Sequence, residues 1–146
     1  NINGLGNENM EYITTDYLKG LIAAPYNAIP KLINDIHCNP NHVENHNVKK
    51  TNRKDKYITY YDGYKWNYAD KGDILDKILD SKMILLEATV ANEDIESKFK
   101  DRFDKFQDKY YNNIDKVKTR NRVDSEIAIL NSKRVLKIDG GLKIVT

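Results

Sequence analysis

The sequence has little of what marks several large protein classes. One cysteine, Cys38, in 146 residues leaves no internal disulfide and excludes a disulfide-stapled secreted scaffold. Uninterrupted apolar runs such as Met83 to Leu86 stop at four residues, where a membrane-spanning helix needs about 20. The N-terminus also lacks the basic-then-apolar layout of a signal peptide, so an intracellular protein without membrane contact is expected. With three prolines and seven glycines there is no Pro- or Gly-rich linker, and no internal repeat or domain boundary is visible. Residues 1–146 read as one domain, and the start at Asn1 rather than Met predicts the C-terminal part of a longer protein. A Gly-rich phosphate loop, a serine-nucleophile motif and a paired-carboxylate signature are all missing. No catalytic residue and no cofactor are expected.

Charge of one sign is scarce too. The 24 basic and 22 acidic side chains sum to +2, too even for a uniformly basic nucleic-acid binder. Arginine is rare, 5 against 19 lysines, whereas a surface selected for bidentate phosphate contacts favours arginine. Together with 17 Asn, 16 Ile and 10 Tyr, the lysine excess matches A- and T-rich codons and speaks of coding bias. The near-neutral total hides blocks. Residues 1–47 carry 2 basic and 5 acidic groups, 48–72 carry 7 and 3, 73–115 carry 7 and 11, and 116–146 carry 8 and 3. If the two basic blocks meet they form a patch; if they point apart they are ordinary solvated surface.

Periodicity predicts an α+β fold, mainly helical, with a small two- or three-stranded antiparallel sheet. Thr15 is expected to cap a short helix through Tyr17, Leu18, Leu21 and Ile22, which Pro25 ends. A second helix follows Asn27, with Pro30 in its first turn and Ile29, Leu32, Ile33 and Ile36 on one stripe. Asn47 to Thr51 reads as a short edge strand. The strongest local signal is Asp62-Gly63 between the aromatic runs Tyr57 to Tyr61 and Tyr64 to Tyr68, a hairpin over residues 57–68. A two-residue turn would set Tyr61 opposite Tyr64, Thr59 opposite Trp66 and Tyr57 opposite Tyr68, with five aromatics on one face and Ile58, Tyr60, Lys65 and Asn67 on the other. Helical patterns then run from Asp73 through Leu86, from Asn92 through Tyr110, and over Val123, Ile127 and Leu130. A final hairpin is expected from Val135 to Val145 around Asp139-Gly140-Gly141.

Four groupings invite chemistry. His37, Cys38, His42 and His46 fall within ten residues and are zinc-ligand types, but their spacing fits no zinc finger and no second ligand cluster exists. The histidines are therefore expected to cap a helix end and hold the following loop. The bolder alternative is a metal-dependent nuclease centred on His37, His42 and His46, with His46 as general base, Glu44 or His37 on the metal, and Asp73 or Asp76 from the next helix. Lys49, Lys50, Arg53, Lys54 and Lys56 crowd the span before the hairpin. Beside aromatic rings they make the pairing by which single-strand binders attract phosphate and stack bases, although the aromatic face is expected to pack on the Ile29/Leu32/Ile33/Ile36 helix. Phe99, Phe103, Phe106 and Tyr110, spaced 4, 3 and 4 apart, suit either a monomer core or a seam between subunits, making a homo-oligomer a candidate partner state.

The run Ile36-His-Cys-Asn-Pro-Asn-His-Val-Glu-Asn-His-Asn-Val48, followed by Lys56-Tyr57, Tyr61-Asp-Gly63, Trp66 and Asp70-Lys71, resembles a segment of uncharacterised proteins from mimivirus-like giant DNA viruses of amoebae. The resemblance extends upstream through Gly6-Asn-Glu-Asn9 and Ala28-Ile-Pro-Lys-Leu32 and, more weakly, downstream to about Asn131. In that family the segment often follows a zinc-finger-like Cys/His motif and a coiled coil, which implies nucleic-acid contact for the full protein and a place in the host cytoplasm or virion. Members carry an aromatic where Cys38 stands and a proline where Val43 stands, which makes Cys38 a poor metal ligand. The expected function is a non-enzymatic viral module that binds DNA or oligomerises, with Lys49, Lys50, Arg53, Lys54 and Lys56 as phosphate contacts. A purely structural protein-binding domain is the alternative.

Overall fold

The computed structural model describes residues 1–132, 134–138 and 141–145, the last two stretches as backbone strands alone. The described residues form five helices and two antiparallel sheets, an α+β fold with helices in the majority. Helix α1 (Thr15–Ala23) is capped by Thr14, whose side chain accepts from the Tyr17 amide, and it buries Leu18, Leu21 and Ile22. Helix α2 (Ala28–His37) follows the turn at Pro25 and buries Ile29, Leu32, Ile33 and Ile36, the stripe that its spacing dictates. Helix α3 (Lys71–Asn92) starts at Asp70, whose carboxylate accepts from the Asp73 amide at 3.1 Å. It lines the core with Ile74, Leu75, Ile78, Leu79, Met83 and Leu86. Burying one such aliphatic side chain contributes about 1.5–3 kcal/mol, so these two helices supply much of what holds the chain together.

The helix that carries Phe103 and Phe106 takes one of the two roles its spacing allows, and the last helix departs from expectation in the face it buries. Helix α4 (Ser97–Tyr111) buries Phe103, Phe106 and Tyr110 completely or nearly so, within this chain. Of core and subunit seam, the stripe serves as core within this chain, and Phe99 alone of the four is partly exposed. The Tyr110 hydroxyl donates to Asp80 of α3 at 2.8 Å, which closes the polar end of the stripe. Helix α5 (Val117–Asn131) turns inward not Val123 and Ile127, which are exposed, but Val117, Asn121, Ser125 and Ile129. That face is half polar because α5 packs closely on α2, where small side chains fit, and Asn121 donates to the Val117 carbonyl at 2.8 Å.

The sheet has strand order β1-β2-β3, all antiparallel, with β1 Val48–Lys49, β2 Tyr57–Tyr61 and β3 Trp66–Asp70. The hairpin register differs from a two-residue turn: Tyr61 opposes Trp66, Thr59 opposes Tyr68 and Tyr57 opposes Asp70. The Asp62 side chain causes the shift. It accepts from the Tyr64 and Lys65 amides at 2.7 and 2.9 Å and from the Asn67 amide group at 2.9 Å, so residues 62–65 form a closed loop outside the ladder. Those bonds hold its carboxyl below the usual carboxylate range. Gly63 at φ +103 supplies the left-handed conformation that the loop requires. Two further strands, β4 (Arg134–Ile138) and β5 (Gly141–Val145), pair antiparallel as the final hairpin, whose turn residues Asp139 and Gly140 lie outside the described residues.

A strap from Asn3 to Ile13 crosses this assembly. It is held by amide bonds from Asn3 to the Glu44 carbonyl and from Leu5 to the Tyr61 carbonyl, each 2.7 Å. Gly4 lies so close to the hairpin loop that a Cβ there would sit 2.9 Å from the Asp62 and Gly63 backbone. Buried Asn45 locks the strap from below: its side chain accepts from the Asn9 amide and donates to the Asn9 carbonyl, both at 2.8 Å.

Candidate nucleic-acid interface

Alternation along β2 and β3 sends Ile58, Tyr60 and Ala69 toward the core, joined by Val48 of β1. Ile58 is 1 % exposed. The opposite face carries Lys49, Tyr57, Thr59, Tyr61, Trp66 and Tyr68. The aromatic face was expected to pack on α2, and it does not: Tyr57 is 51 % and Tyr68 81 % exposed, and Tyr64 on the loop is 93 % exposed. The reason is that the inner face needs only Ile58, Tyr60, Ala69 and Val48 to meet α3 and the helices behind it. Trp66 and Tyr61 meet across the strands with ring centroids 5.5 Å apart, and the Lys49 ammonium sits 4.4 Å from the Trp66 ring centroid.

The basic loop is fixed beside this face by bonds that involve its backbone. The Lys71 amide donates to the Lys56 carbonyl at 2.9 Å, and Lys71 Nζ reaches the Arg53 carbonyl at 3.3 Å and Glu126 of α5 at 3.0 Å. Arg53, Lys54 and Lys56 are left exposed. Lys50 does not join them. It is 6 % exposed, and its ammonium donates to the carbonyls of Asp55 and, at 2.9 Å, Tyr57. Its charge closes the loop from inside, so the expected phosphate contact at Lys50 is corrected to a structural one. Lys65, which precedes Trp66 on the hairpin loop, is exposed, a cation that counting within the Lys49–Lys56 span overlooked.

The histidines do not converge. His37 is fully buried between Asn47 and Lys82, His42 stacks on Tyr12 at 3.5 Å and pairs with Glu44 at 3.1 Å, and His46 Nε2 meets the Asn39 carbonyl at 2.7 Å. Burial holds the His37 and His46 imidazoles below their ordinary pKa. Among the described residues no three His, Cys, Asp or Glu side chains gather as metal ligands, so His37, His42 and His46 form no shared centre. Cys38 lies against the Ala128 carbonyl at 3.7 Å, and burial pushes its thiol up to about 11, which makes it a poor nucleophile. Among the described residues no helix is long and apolar enough to cross a membrane. No protein-family model, no curated protein and no solved structure matches this chain, so its geometry carries the functional reading.

Proposed function

We propose that this domain binds single-stranded nucleic acid on the outer face of its sheet, with Tyr57, Trp66 and Tyr68 stacking bases and Lys49, Arg53, Lys54, Lys56 and Lys65 attracting phosphates. The observation that carries this reading is an aromatic sheet face left to solvent beside an ordered basic loop. Rings two residues apart on a strand stand roughly 6.8 Å apart, about two base steps of 3.4 Å, which leaves room for a base between them. Stacking is worth about 1–3 kcal/mol per base and is indifferent to sequence. Double-stranded DNA hides its base faces, so the rings favour single strands and the lysines alone would serve a duplex. The resemblance to giant-virus proteins adds the setting: a viral module acting on nucleic acid in the host cytoplasm or in the virion.

Trp66, the single tryptophan, is the built-in probe. Titration with oligothymidylate at low salt is expected to quench its fluorescence, with affinity falling on a log-log salt plot by roughly 0.7 per phosphate neutralised. Tyr68→Ala is expected to weaken binding about tenfold or more at an unchanged unfolding midpoint, and Lys54→Glu with Lys56→Glu to flatten the salt slope. Unchanged fluorescence at the lowest salt would sink the proposal and leave the same rings to a protein partner. Duplex binding without quenching would reduce it to backbone contact by the lysines.

A further inference from the structure

On the inner side of the sheet, between the strap, the β2–β3 loop and one face of α3, lies a cavity of about 530 Å³, within the range that holds small molecules. Leu5, Met10, Ile74, Ile78 and Leu85 make its walls apolar, and Glu8, Asp62, Lys77 and Lys82 add the charged groups. Lys82 is 5 % exposed, an unusual place for a lysine with no carboxylate in salt-bridge contact among the described residues.

Its one hydrogen-bond partner among the described residues is His37 Nε2, at 2.8 Å. An amine nitrogen donates there, so the imidazole accepts at Nε2 and carries its own proton on Nδ1. Nδ1 in turn meets Asn47 Oδ1 at 2.8 Å, and Asn47 Nδ2 donates to Glu8 Oε2 at 2.7 Å. The chain Lys82–His37–Asn47–Glu8 begins and ends at residues of the same cavity and draws on α3, α2, the segment before β1 and the strap. An amine bonded to a base that a third side chain orients is the arrangement of an activated nucleophile. A purely structural role is poorly served by it, because two of the three ammonium hydrogens find no acceptor among the described residues, where a methionine would fill the space without that cost. Burial brings Lys82 down to about 8, the Glu8 carboxylate opposing that fall; about a tenth of it is then neutral amine at pH 7.

We propose that Lys82 is the amine nucleophile of a carbonyl-binding pocket, which takes a small aldehyde with an apolar body and holds it as an imine. The neutral Nζ attacks the carbonyl carbon, forming the C–N bond as the C=O π pair moves to oxygen. His37 Nε2 accepts an amine proton and returns it to the oxygen. The carbinolamine then loses its hydroxyl together with the second amine proton, so that amine and aldehyde give imine and one water, with no oxidant or reductant.

Benzaldehyde with cyanoborohydride, which reduces the imine to a stable benzyl amine, makes the bond visible by peptide mass mapping. At pH 7 Lys82 is expected to be benzylated about tenfold or more faster than the mean of the other lysines, although it is among the least exposed of them. The rate at Lys82 should follow its own titration; His37 from α2 is bonded to it, and the titratable groups that line the cavity with it are Glu8 from the strap, Tyr60 from β2, Asp62 from the hairpin loop and Lys77 from its own helix. Leu85→Trp narrows the cavity and is expected to slow Lys82 alone, and Ile78→Phe does the same should the first variant not fold. His37→Gln, which can still accept the hydrogen bond but cannot take up the proton, is expected to slow it several-fold. Labelling spread evenly over exposed lysines, or Lys82 labelled as fast in a folded cavity-narrowed variant, would overturn the proposal. The rings of the outer face lie across the sheet from this cavity, so neither outcome bears on nucleic-acid binding.

Discussion

At the scale of single residues, the buried polar groups decide how the fold responds to pH. Lys82 keeps its charge inside the native protein only against the burial that lowers it to about 8 from 10.5. Between those values the unfolded chain binds more protons than the folded one, so stability rises with pH across the window and the cost of the buried charge is present in full below it. His37 obeys the same sign at lower pH: folded, it stays neutral well below 6.5, so stability is lost as pH falls below about 6.5. Above pH 10 the trend reverses. Tyr17, Tyr110 and Tyr111 are held neutral by burial, and hydrogen bonds to Asp35, Asp80 and Glu87 respectively hold them further, while their unfolded counterparts ionise. Urea midpoints of the native protein and Lys82→Met, compared between pH 8 and 10, are expected to converge or cross in favour of the native protein. The relative slope is at most about 1.4 kcal/mol per pH unit. A pH-independent difference would mean that Lys82 titrates normally.

At the scale of elements, α4 separates two roles that one stripe of residues could play. Phe106 is wholly buried, with Tyr26 against its ring at 5.2 Å. Phe106→Ala is therefore expected to lower stability by about 3–5 kcal/mol with no change in sedimentation mass of the folded fraction. A lower mass at unchanged stability would restore the subunit seam. The apolar stripes of α2 and α3 were legible because most inward positions are aliphatic, His37, Lys82 and Thr89 being the polar exceptions, and β2 and β3 because aromatic runs flank Asp62-Gly63. The hairpin register was not, since it depends on one carboxylate capping two loop amides. Period-two alternation sorted the hairpin residues into two faces but could not say which face is inside: tyrosine tolerates either side, and Ile58 with Ala69 is a weak apolar signal beside five rings. The inward face of α5 was hidden for the opposite reason, Asn121 and Ser125 being polar. Of the candidate site, the basic loop and the rings could be named from sequence. Lys50's inward turn, and the pairing of His37 with Lys82 across 45 residues, could not.

At the scale of the whole molecule, some charges of the alternating blocks pair across the fold. Among the described residues, two cations of the second basic block face acidic side chains of the stretch before it. Arg122 and Lys118 of α5 turn to Asp76 and Asp80 of α3 at 2.6 and 3.5 Å, and the first block touches α5 where Lys71 meets Glu126. Each such half-exposed pair adds only about 0–1 kcal/mol, while Arg53, Lys54, Lys56 and Lys65 of the first block stay exposed. The strap has a different consequence. It is fastened by polar bonds whose partners lie from 36 residues away (Asn9 to Asn45) to 56 (Leu5 to Tyr61), and of its hydrophobic side chains Leu5, Met10 and Ile13 pack against the core. Segments held this way open at a fraction of the global free energy. Amides of Asn3, Leu5 and Asn9 are expected to exchange with solvent deuterium about tenfold or more sooner than those of Ile33 and Leu79; equal protection would make the strap one cooperative unit with the helices. Because Leu5, Gly6, Glu8 and Met10 form one wall of the cavity, each such excursion takes that wall away, and the surroundings of Lys82 change in step with the strap's amide exchange.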